Sequence, residues 1–482
     1  MLTISIADLL AATSAELVCG DVQAQVHGVT TDSRAVEQGS VFVCFVGERV
    51  NGNRFARQAI QAGAGAVVLT EAPEEGLADL ASAQGCALLR AADDDAEEFL
   101  LRLAAAWRQR NPQWTVVGVT GSVGKTTTKD MLACGLATRF ATHATKGNFN
   151  NLIGLPLTLL AASPEDEVIV AEMGMNHTGE LSRLTAVARP TVALVTNVGT
   201  SHIGFLGSRE NIARAKAEIV EGMTPTAEAE GPVLPCLVIT DDNDFGSFIE
   251  EQFCAPAGVQ VVRVGSAASS DVRACDITLD GEGKPTFTLA FADGWERKVT
   301  LDAPGRHVVS DFLIAMAIID RVGADRSAAA DAIAHMPQTH MRLEVLTAPG
   351  KPRVIDDSYN ASPSSMAAAL DVLCSMECTG RRVAVLGQVG ELGDEAARLH
   401  GYMGAYAAAK PLDLLVFVGD EHADDMAEAA RTMGFSEDRL EVLESAERAL
   451  EVIGPVLAEG DLVLAKGSRA VGLDVFAKGV LA

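Results

Sequence analysis

The residues with the clearest chemistry lie in the segment VVGVTGSVGKTTTKD, at positions 116–130. An apolar strand, a glycine-punctuated turn and a helix start follow one another there, the order found in loops that bind nucleotide phosphates. Lys125 can reach the β- and γ-phosphates, and the Thr126 hydroxyl can ligate Mg²⁺. The first glycine of the common G-x-x-x-x-G-K-[ST] spelling is displaced, since Val119 occupies its position. The order of elements still predicts a phosphate loop. It consists of Gly121, Ser122, Val123, Gly124, Lys125, Thr126 and Thr127.

Three titratable side chains downstream of this loop could join it in phosphate chemistry. Glu172 ends the apolar run EVIVAE, and His202 follows the run TVALV in a loop. Because the carboxyl ends of parallel strands meet at one edge of a sheet, Glu172 falls where a Mg²⁺ ligand belongs. A strand-end glutamate facing water and a structural histidine are the alternatives. Lys216 lies on the helical segment ARAKAEIV, where an ammonium group cannot ligate Mg²⁺ and a surface position is the plainer interpretation.

Alternating strands and helices must position these side chains. The runs TVVGVTG, EVIVAEMG, TVALVTNVG and CLVIT are nearly all apolar, as in parallel strands covered on both faces. Later runs, PRVIDDS, RRVAVLGQV, LDLLVFVG and DLVLAKG, are each followed by a helical segment, which favours a doubly wound, Rossmann-like unit. A chain of 482 residues is too long for one core. We therefore predict an α/β protein of three domains, at 1–93, 94–338 and 339–482.

Composition narrows the class of partner. With 38 Lys and Arg against 65 Asp and Glu, the formal charge of −27 argues against nucleic acid or an anionic membrane surface. An anionic small substrate remains compatible, because a few basic groups can converge in a cleft. The nine cysteines are scattered, and the pair Cys374 and Cys378 fits one helix face better than a metal site. With no basic leader and no apolar run of spanning length, we expect a reduced, cytoplasmic protein without membrane insertion.

The phosphate loop, spelled T-G-S-x-G-K-T-T, resembles that of the Mur ligase family of peptidoglycan synthesis and its folylpolyglutamate relatives. The segments KGNFNNLIGLP, TNVGTSHIGF and ARAKAEIV are similar to the family segments that follow this loop. The resemblance implies that Asn151 contacts ATP, that Asn148 contacts substrate, and that His202 helps to organise metal and phosphate. It also implies that Lys216 is carbamylated, which would turn a cation into a carboxylate-like metal ligand.

Two later segments match the family with substitutions. APGRHVVSDF resembles the family's P-G-x-H-N-x-x-N helix start, with Val308 and Asp311 in place of the two asparagines. The family's second asparagine contacts adenine, and a carboxylate at Asp311 could accept from an amine but not donate. THMRLEV resembles the family's G-R-[LFM]-E junction, with Met341 in place of glycine. The match implies that Arg342 clamps ATP phosphates, with an interdomain ion pair as the alternative.

The segment VIDDSYNASPSSM resembles the family branch that adds D-alanyl-D-alanine to UDP-N-acetylmuramoyl-tripeptide. GQVGELG and KGSRAVGLD are similar to further segments of that branch, and TTDSRAVEQGSVFVCFVGE resembles its uridine-diphosphate-sugar domain. The resemblance implies an N-terminal UDP-sugar-binding domain, ATP and Mg²⁺ as cofactors, an acyl-phosphate mechanism and a monomer. It places Asp357 at ATP. It assigns substrate contacts to Thr31, Ser33, Arg34, Tyr359, Asn360, Lys466 and Arg469.

Two alternatives stay open at this point. One is another amide ligase of the same superfamily, of the folylpolyglutamate synthetase type. The other is a P-loop regulatory ATPase that couples hydrolysis to motion and has no ligase activity. Phosphate release that needs both a UDP-muramyl-tripeptide and D-alanyl-D-alanine separates the expected ligase from both.

Overall fold

The computed structural model describes residues 1–226 and 233–482, in which β-strands and α-helices alternate along most of the chain. The strands are β1 (Thr3–Ser5), β2 (Glu16–Cys19), β3 (Gln25–His27), β4 (Val29–Thr30), β5 (Val41–Val43), β6 (Ala66–Leu69), β7 (Ala87–Arg90), β8 (Thr115–Thr120), β9 (Thr142–Ala144), β10 (Val168–Glu172), β11 (Val192–Val195), β12 (Cys236–Thr240), β13 (Gln260–Gly265), β14 (Val272–Leu279), β15 (Pro285–Phe291), β16 (Glu296–Thr300), β17 (Glu344–Leu346), β18 (Arg353–Asp357), β19 (Arg382–Gly387), β20 (Leu414–Val418), β21 (Leu440–Leu443) and β22 (Leu462–Lys466).

The helices pack on the faces of the sheets that these strands form. They are α1 (Ile6–Thr13), α2 (Ala56–Gln61), α3 (Leu77–Gln84), α4 (Ala96–Arg110), α5 (Lys125–Leu136), α6 (Gly154–Ala161), α7 (Glu180–Ala188), α8 (Ile203–Leu206), α9 (Arg209–Ala217), α10 (Gly246–Ile249), α11 (Ala255–Ala257), α12 (Val308–Val322), α13 (Arg326–Ala334), α14 (Pro363–Ser375), α15 (Ala396–Ala408), α16 (Glu421–Thr432), α17 (Ala446–Ile453) and α18 (Asp474–Leu481). Across 1–226 and 233–482, none of them combines the length and the apolarity of a membrane-spanning helix.

The N-terminal sheet has the strand order β2-β7-β6-β5-β4, and only the β2–β7 pair is antiparallel. Alternate residues of β5 face opposite sides, as strand geometry requires. Phe42 packs with the α2 and α3 side, whereas Val41 and Val43 belong to the cluster that includes α4. Helix α4 also packs on α6 and α7 of the central unit, so it joins the first sheet to the second.

The central sheet has the order β16-β15-β14-β13-β12-β11-β8-β10-β9. Strands β8 to β13 run parallel, and β8 lies between β10 and β11. The chain leaves β8 for β9 and β10 on one side and returns to β11 on the other, which makes β8 the point where the winding reverses. Ligands bind outside the carboxyl ends of strands at such a point. The register pairs Glu172 with Val119, so the end of β10 lies beside the start of the phosphate loop.

Strands β14, β15 and β16 extend this sheet as an antiparallel ribbon at its outer edge. The apolar runs in the sequence predict no strand between residues 266 and 300. Buried and more exposed residues alternate in these strands, as in VRACDITL, whereas the parallel strands are continuous apolar runs. The central sheet is therefore mixed rather than purely parallel.

The C-terminal sheet has the order β17-β18-β22-β19-β20-β21, with β17 antiparallel and the others parallel. The carboxyl ends of β18, β22 and β19 lie side by side, and the register places Asp357 opposite Lys466. Together these three sheets, beside a two-stranded antiparallel sheet of β1 and β3, confirm the predicted α/β class. The predicted borders at 93 and 338 fall between strands of successive sheets, and their exact positions stay a prediction.

Candidate nucleotide and metal site

A cleft of about 1320 Å³ lies where the carboxyl edge of the central sheet faces that of the C-terminal sheet. Most of the side chains singled out in the sequence line it. They are Ser122, Val123, Gly124, Lys125, Thr126, Thr127, Asn148, Asn151, Glu172, His202, Asp311, Arg342, Asp357, Tyr359, Asn360, Lys466 and Arg469. Gly121, Lys216 and the N-terminal residues Thr31, Ser33 and Arg34 do not line it.

The phosphate loop is held by the segment that follows β11. Asn197 accepts a hydrogen bond from the Val123 N–H at 3.1 Å and donates to the Val123 carbonyl at 3.0 Å. The backbone of Gly121 has φ 147° and a Cβ there would collide with Thr196, so glycine is required by both conformation and space. Side chains in the segment after β11 thus hold the phosphate loop in its conformation without a ligand.

Lys125 is the cation at the centre of the loop. Its ammonium donates to the Gly121 carbonyl at 2.8 Å, at the first turn of α5. Burial lowers the pKa of Lys125, while the negative charges of Glu172 and Glu391 act in the opposite direction. A half-buried lysine beside N–H groups at a helix start matches the charge and hydrogen-bonding pattern of an anionic phosphate.

Glu172 has the environment of a metal ligand. It is 2% exposed, and its Oε1 accepts from the Asn150 side-chain amide at 2.8 Å. Its Oε2 is buried without a hydrogen-bond partner among the described residues. An unpartnered buried carboxylate oxygen is costly unless a cation occupies it. With the Thr126 hydroxyl on the same cleft wall, the oxygen donors fit Mg²⁺.

Carboxylate and histidine side chains do not supply all the ligands that Mg²⁺ needs at this site. Within the described ranges, no group of three His, Cys, Asp or Glu side chains is close enough to hold a metal ion. The remaining donors for a hard cation would come from substrate phosphates and water, which is the usual pattern for Mg²⁺.

Lys216 lies behind the cleft wall, on α9. It is 2% exposed, and no carboxylate of 1–226 or 233–482 forms an ion pair with it. Burial, together with the positive charge of Lys125, lowers the pKa of Lys216 far below its ordinary value. The helix-surface alternative is therefore excluded, because the side chain is internal. A neutral buried amine is also the form that reacts with CO₂ to give a carbamate.

His202 lies where the central unit contacts a loop of the C-terminal unit. It adopts a left-handed backbone, φ 63°, immediately before α8. Its Nδ1 lies 2.6 Å from Oε2 of Glu391, which belongs to the C-terminal unit. A proton on Nδ1 is attracted to the carboxylate at this separation, although the contact does not have the angles of a regular hydrogen bond. Contact with His202 lowers the pKa of Glu391.

Asp311 lies directly beneath the phosphate loop. The Thr128 hydroxyl donates to its Oδ1 at 3.2 Å, and a Cβ added to Gly124 would lie 2.5 Å from the same oxygen. Burial raises the pKa of Asp311 to about 7. A carboxyl group with this pKa is mainly protonated below about pH 7, and in that form it can donate as well as accept hydrogen bonds, as an asparagine amide does.

Replacing Asp311 with asparagine is expected to flatten the dependence of stability on pH. The folded pKa near 7 exceeds the unfolded value of about 3.8, so the folded state holds an extra proton between these values. Its contribution is present below about pH 4 and is lost as the pH rises through 7. Asp311→Asn should therefore gain stability relative to the parent at pH 8, on the order of 2–4 kcal/mol compared with pH 4. Thermal unfolding of both proteins at the two pH values measures this.

Asp331→Asn is the control, since this aspartate is exposed on α13 and pairs with Arg297 at the surface. A parallel pH dependence for the parent, Asp311→Asn and Asp331→Asn would contradict the assignment of a raised pKa to Asp311.

In the C-terminal unit, Lys466 and Asp357 form a buried pair across adjacent strand ends. The ammonium donates to Asp357 Oδ2 at 2.6 Å and to the Asn360 carbonyl at 3.1 Å. The other oxygen of Asp357 accepts from the Leu343 N–H at 3.3 Å. Burial lowers the pKa of Lys466, opposed by the charge of Asp357. The pair therefore fixes the D-D-S-Y-N turn at the rim of the cleft.

Removing one member of this pair should be costly. Lys466→Met leaves the Asp357 carboxylate buried without its cation, and we expect a loss of about 3–5 kcal/mol in the free energy of unfolding. Denaturant unfolding measures this loss of stability. Lys478→Met is the matched control, because that lysine pairs with Asp474 at the surface. Adding Asp357→Leu to Lys466→Met should restore most of the stability. Equal stability of Lys466→Met and the control would contradict this account.

Arg342 lines the cleft and stacks over the Tyr359 ring of its own unit, with its guanidinium carbon 4.3 Å from the ring centre. No ion pair involving Arg342 occurs in the described chain, so the interdomain ion-pair alternative is not observed. Met341 and Leu343, on either side, have φ values of 58° and 52°. Met341 thus occupies a left-handed position that favours glycine, the residue found there in the family motif. Arg469 lies nearby and pairs with Asp474 at 3.0 Å.

Three predicted residues lie far from the cleft, in the loop after β4. Arg34 forms a bidentate pair with Asp32, and its side chain is 85% exposed. Thr31 and Ser33 flank this pair. Their predicted contact with the uridine end of a substrate stays a prediction. Among the predicted cleft residues, Asn148 is exposed, and Asn151 caps α6 by accepting from the Ile153 and Gly154 N–H groups. The Asn151 carbonyl oxygen is thereby used within the fold.

Sequence reasoning missed three residues of the site. Asn150 orients Glu172, Asn197 holds the phosphate loop, and Glu391 contacts His202. Asn197 stands in the T-N-x-x-x-x-H segment and Asn150 in the Asn-rich turn, so both were within quoted motifs. Glu391 lies in GQVGELG, but nothing in the sequence indicates that this loop meets the loop of His202.

Comparison with known proteins places these features in a family. Residues 25–108 match the Mur ligase family catalytic domain, residues 119–319 match the Mur ligase middle domain, and residues 341–469 match the Mur ligase glutamate ligase domain. The UDP-N-acetylmuramoyl-tripeptide--D-alanyl-D-alanine ligase of Bacillus subtilis (strain 168) is 35% identical over 463 residues, covering 95% of this chain and 94% of that protein.

Two solved structures share the arrangement of the three units. A crystal structure of MurF from Acinetobacter baumannii has a TM-score of 0.86 at 29% identity, covering 100% of this chain and 99% of that one. MurF ligase from Thermotoga maritima in complex with ADP has a TM-score of 0.76 at 25% identity, covering 94% and 98%. The chain belongs to the Mur ligase family.

Proposed function

We propose that this chain joins D-alanyl-D-alanine to UDP-N-acetylmuramoyl-tripeptide in a reaction that consumes ATP and needs Mg²⁺. The curated relatives that it resembles along almost their whole length carry that activity in their names. This breadth of similarity favours the D-alanyl-D-alanine ligase over a folylpolyglutamate synthetase or a regulatory ATPase. One structural observation carries the proposal. The phosphate loop and the D-D-S-Y-N turn at Asp357 face each other across a single cleft.

The reaction must convert a carboxylate, a poor acyl donor, into an activated group. The terminal carboxylate of the tripeptide attacks the γ-phosphorus of ATP, forms an acyl phosphate and releases ADP. The free amine of D-alanyl-D-alanine then attacks the acyl carbon, the amide forms, and inorganic phosphate leaves with the proton of the amine released to water.

This chain contributes position and charge to these steps. Lys125 and the N–H groups of the phosphate loop are placed to hold the transferring phosphoryl group, and Arg342 is placed to approach from the opposite wall. Thr126 and the free Oε2 of Glu172 would hold Mg²⁺, which neutralises phosphate charge when bound. Enclosure between the units keeps water from the acyl phosphate, which water would otherwise hydrolyse.

Lys216 fits the proposed chemistry as a carbamate. Its amine is buried and lacks an anionic partner in the described chain, so the lysine itself has no evident structural function there. Addition of CO₂ with loss of a proton would turn it into an anion behind the wall that holds Glu172. The negative charge of the carbamate would then attract the Lys125 ammonium, whereas a charged Lys216 would repel it.

The other contacts of the proposal follow from family resemblance. Asn148, Tyr359, Asn360, Lys466 and Arg469 are proposed to contact substrate from the cleft, and Thr31, Ser33 and Arg34 to hold the uridine end. Asn151, Asp311 and Asp357 are proposed to contact ATP. We propose that the protein acts on these small molecules as a cytoplasmic monomer, for which light scattering during gel filtration tests the oligomeric state.

Phosphate release with defined substrates tests the function. Purified protein with ATP and Mg²⁺ is expected to release phosphate only when UDP-N-acetylmuramoyl-tripeptide and D-alanyl-D-alanine are both present, with the pentapeptide product seen by mass spectrometry. Replacing D-alanyl-D-alanine with glutamate serves as the acceptor control. Release with glutamate, or release without any acceptor, would overturn the assignment.

A further inference from the structure

A loop of the C-terminal unit, residues 389–393, reaches across to the central unit beside the phosphate site. It follows β19 and lines the cleft through Val389, Gly390, Glu391 and Leu392. The loop contacts the His202 segment and short helix α8. It is therefore a bridge between the two units at the edge of the cleft.

The bridge and the segment after His202 are in tight contact. The Gly204 N–H donates to the Glu391 carbonyl at 3.0 Å. A Cβ added to Gly204 would lie 2.6 Å from the Gly393 nitrogen and 2.9 Å from the Glu391 carbonyl oxygen. Real Cβ atoms do not approach backbone this closely, so the backbones of the two units are in direct contact here and position 204 has no room for a side chain. The approach places the Glu391 carboxylate against the His202 ring.

The loop is also anchored from behind. His400 on α15 is fully buried, and its Nε2 accepts a hydrogen bond from the Val389 N–H at 2.9 Å. Because Nε2 accepts, Nδ1 carries the proton and donates it to the Ala396 carbonyl at 2.7 Å. The His400 ring stacks on His422 at 4.7 Å. His400 therefore fixes the start of the bridge to a helix, and the direction of Glu391 is set by the fold.

We propose that Glu391 is a positioning residue for the ligation, which orients the His202 ring from the opposite unit when the cleft is closed. Glu391 engages Nδ1 of His202, so Nε2 is the ring nitrogen left to face the cleft. The two residues lie in loops of different units, so this orientation exists only while the C-terminal unit packs against the central unit. The bridge thus links closure of the cleft to completion of the site.

Kinetics of matched variants test the proposal, which rests on the proposed ligase function. Glu391→Ala is expected to lower kcat by about 10–100-fold, the usual effect of removing a carboxylate that orients a functional histidine. The KM for ATP should change by less than about threefold, because the phosphate loop is untouched. Glu391→Gln retains an oxygen acceptor for Nδ1 and should recover most of kcat. Glu395→Ala is the control, since Glu395 pairs with Arg398 at the surface of the same segment.

A second readout does not depend on turnover. In ¹⁵N-histidine-labelled protein, the His202 signals are identified by their loss in His202→Gln. With Glu391 present, Nδ1 of His202 should carry the proton; in Glu391→Ala the ring should show a mixture of tautomers, and in Glu391→Gln the parent pattern. Gly204→Ala, which pushes the units apart, should give the Glu391→Ala pattern while both carboxylate and imidazole are intact.

The outcomes separate failure of the inference from failure of the function. If the unmodified protein does not ligate, the proposed function fails and the NMR result still decides the role of Glu391. If it ligates and Glu391→Ala matches Glu395→Ala in kcat and in the His202 tautomer, the positioning role is wrong. Equal loss of kcat in the alanine and glutamine variants, with a raised KM, would show a structural role and would also overturn it.

Discussion

Replacing Lys125 with alanine is expected to lower the rate of ATP-dependent ligation by about 10³-fold or more. Its ammonium lies among the N–H groups of the phosphate loop and has only the Gly121 carbonyl as a hydrogen-bond partner in the described structure. A fixed positive group at a transferring phosphoryl group acts most strongly in the transition state, where charge spreads over its oxygens. The loss should therefore fall on kcat as well as on the KM for ATP.

The measurement is phosphate release with both substrates, beside a thermal unfolding curve for each protein. Lys146→Ala is the matched control because Lys146 is exposed in the turn after β9 and does not line the cleft. Stability should change little in Lys125→Ala, since this half-buried cation forms no ion pair among the described residues that its removal would leave unpartnered. Ligation within tenfold of the parent at unchanged stability would show that Lys125 is not at the phosphates.

Replacing Lys216 with alanine should lower activity by a similar factor, about 10³-fold, and short carboxylic acids should partly restore it. The substitution deletes the group that carries the carbamate and leaves a cavity in a buried place. Formate or acetate can enter such a cavity and supply the two oxygens of the lost carbamate, without any need for CO₂. The rate should rise with acid concentration and saturate, and Mg²⁺ dependence should shift toward that of the parent.

Amines of the same size provide the opposing test. Methylamine or ethylamine restores the cation but not the carbamate oxygens, so these amines should leave the rate of Lys216→Ala unchanged. Rescue by amines rather than acids would assign the function to the lysine itself. Unchanged activity in Lys216→Ala would dismiss any functional role for this side chain.

Sequence reasoning located the parts of the site that depend on strand ends. The position of Glu172 follows from the rule that parallel strands end at one edge, and its burial beside the phosphate loop agrees with that rule. The same reasoning could not choose between a metal ligand and a solvated strand end. That choice needed the Asn150 contact and the unpartnered Oε2, which depend on how a separate loop folds back.

Contacts between segments that are far apart in the sequence could not be predicted, for a similar reason. The motif spelling marks His202 and the GQVGELG segment separately, but only the packing of α8 on the C-terminal loop joins them. Asp311 was recognised as a departure from the family pattern. Its raised pKa reflects burial under the loop, a property of the tertiary environment rather than of the residue type.

The ribbon β14–β16 stands at the outer edge of the central sheet, and its inner strand β14 is four strand spacings from β8, or about 19 Å. Although all of 268–300 is described, none of these residues lines the main cleft. Its β14–β15 turn instead reaches the C-terminal unit, where Glu282 pairs with Arg353 and the Glu377 N–H donates to the Gly281 carbonyl at 2.7 Å. The ribbon therefore forms a further contact between the two units, away from the phosphate loop. Substitutions in its turn are expected to act on how the units pack rather than on phosphate binding.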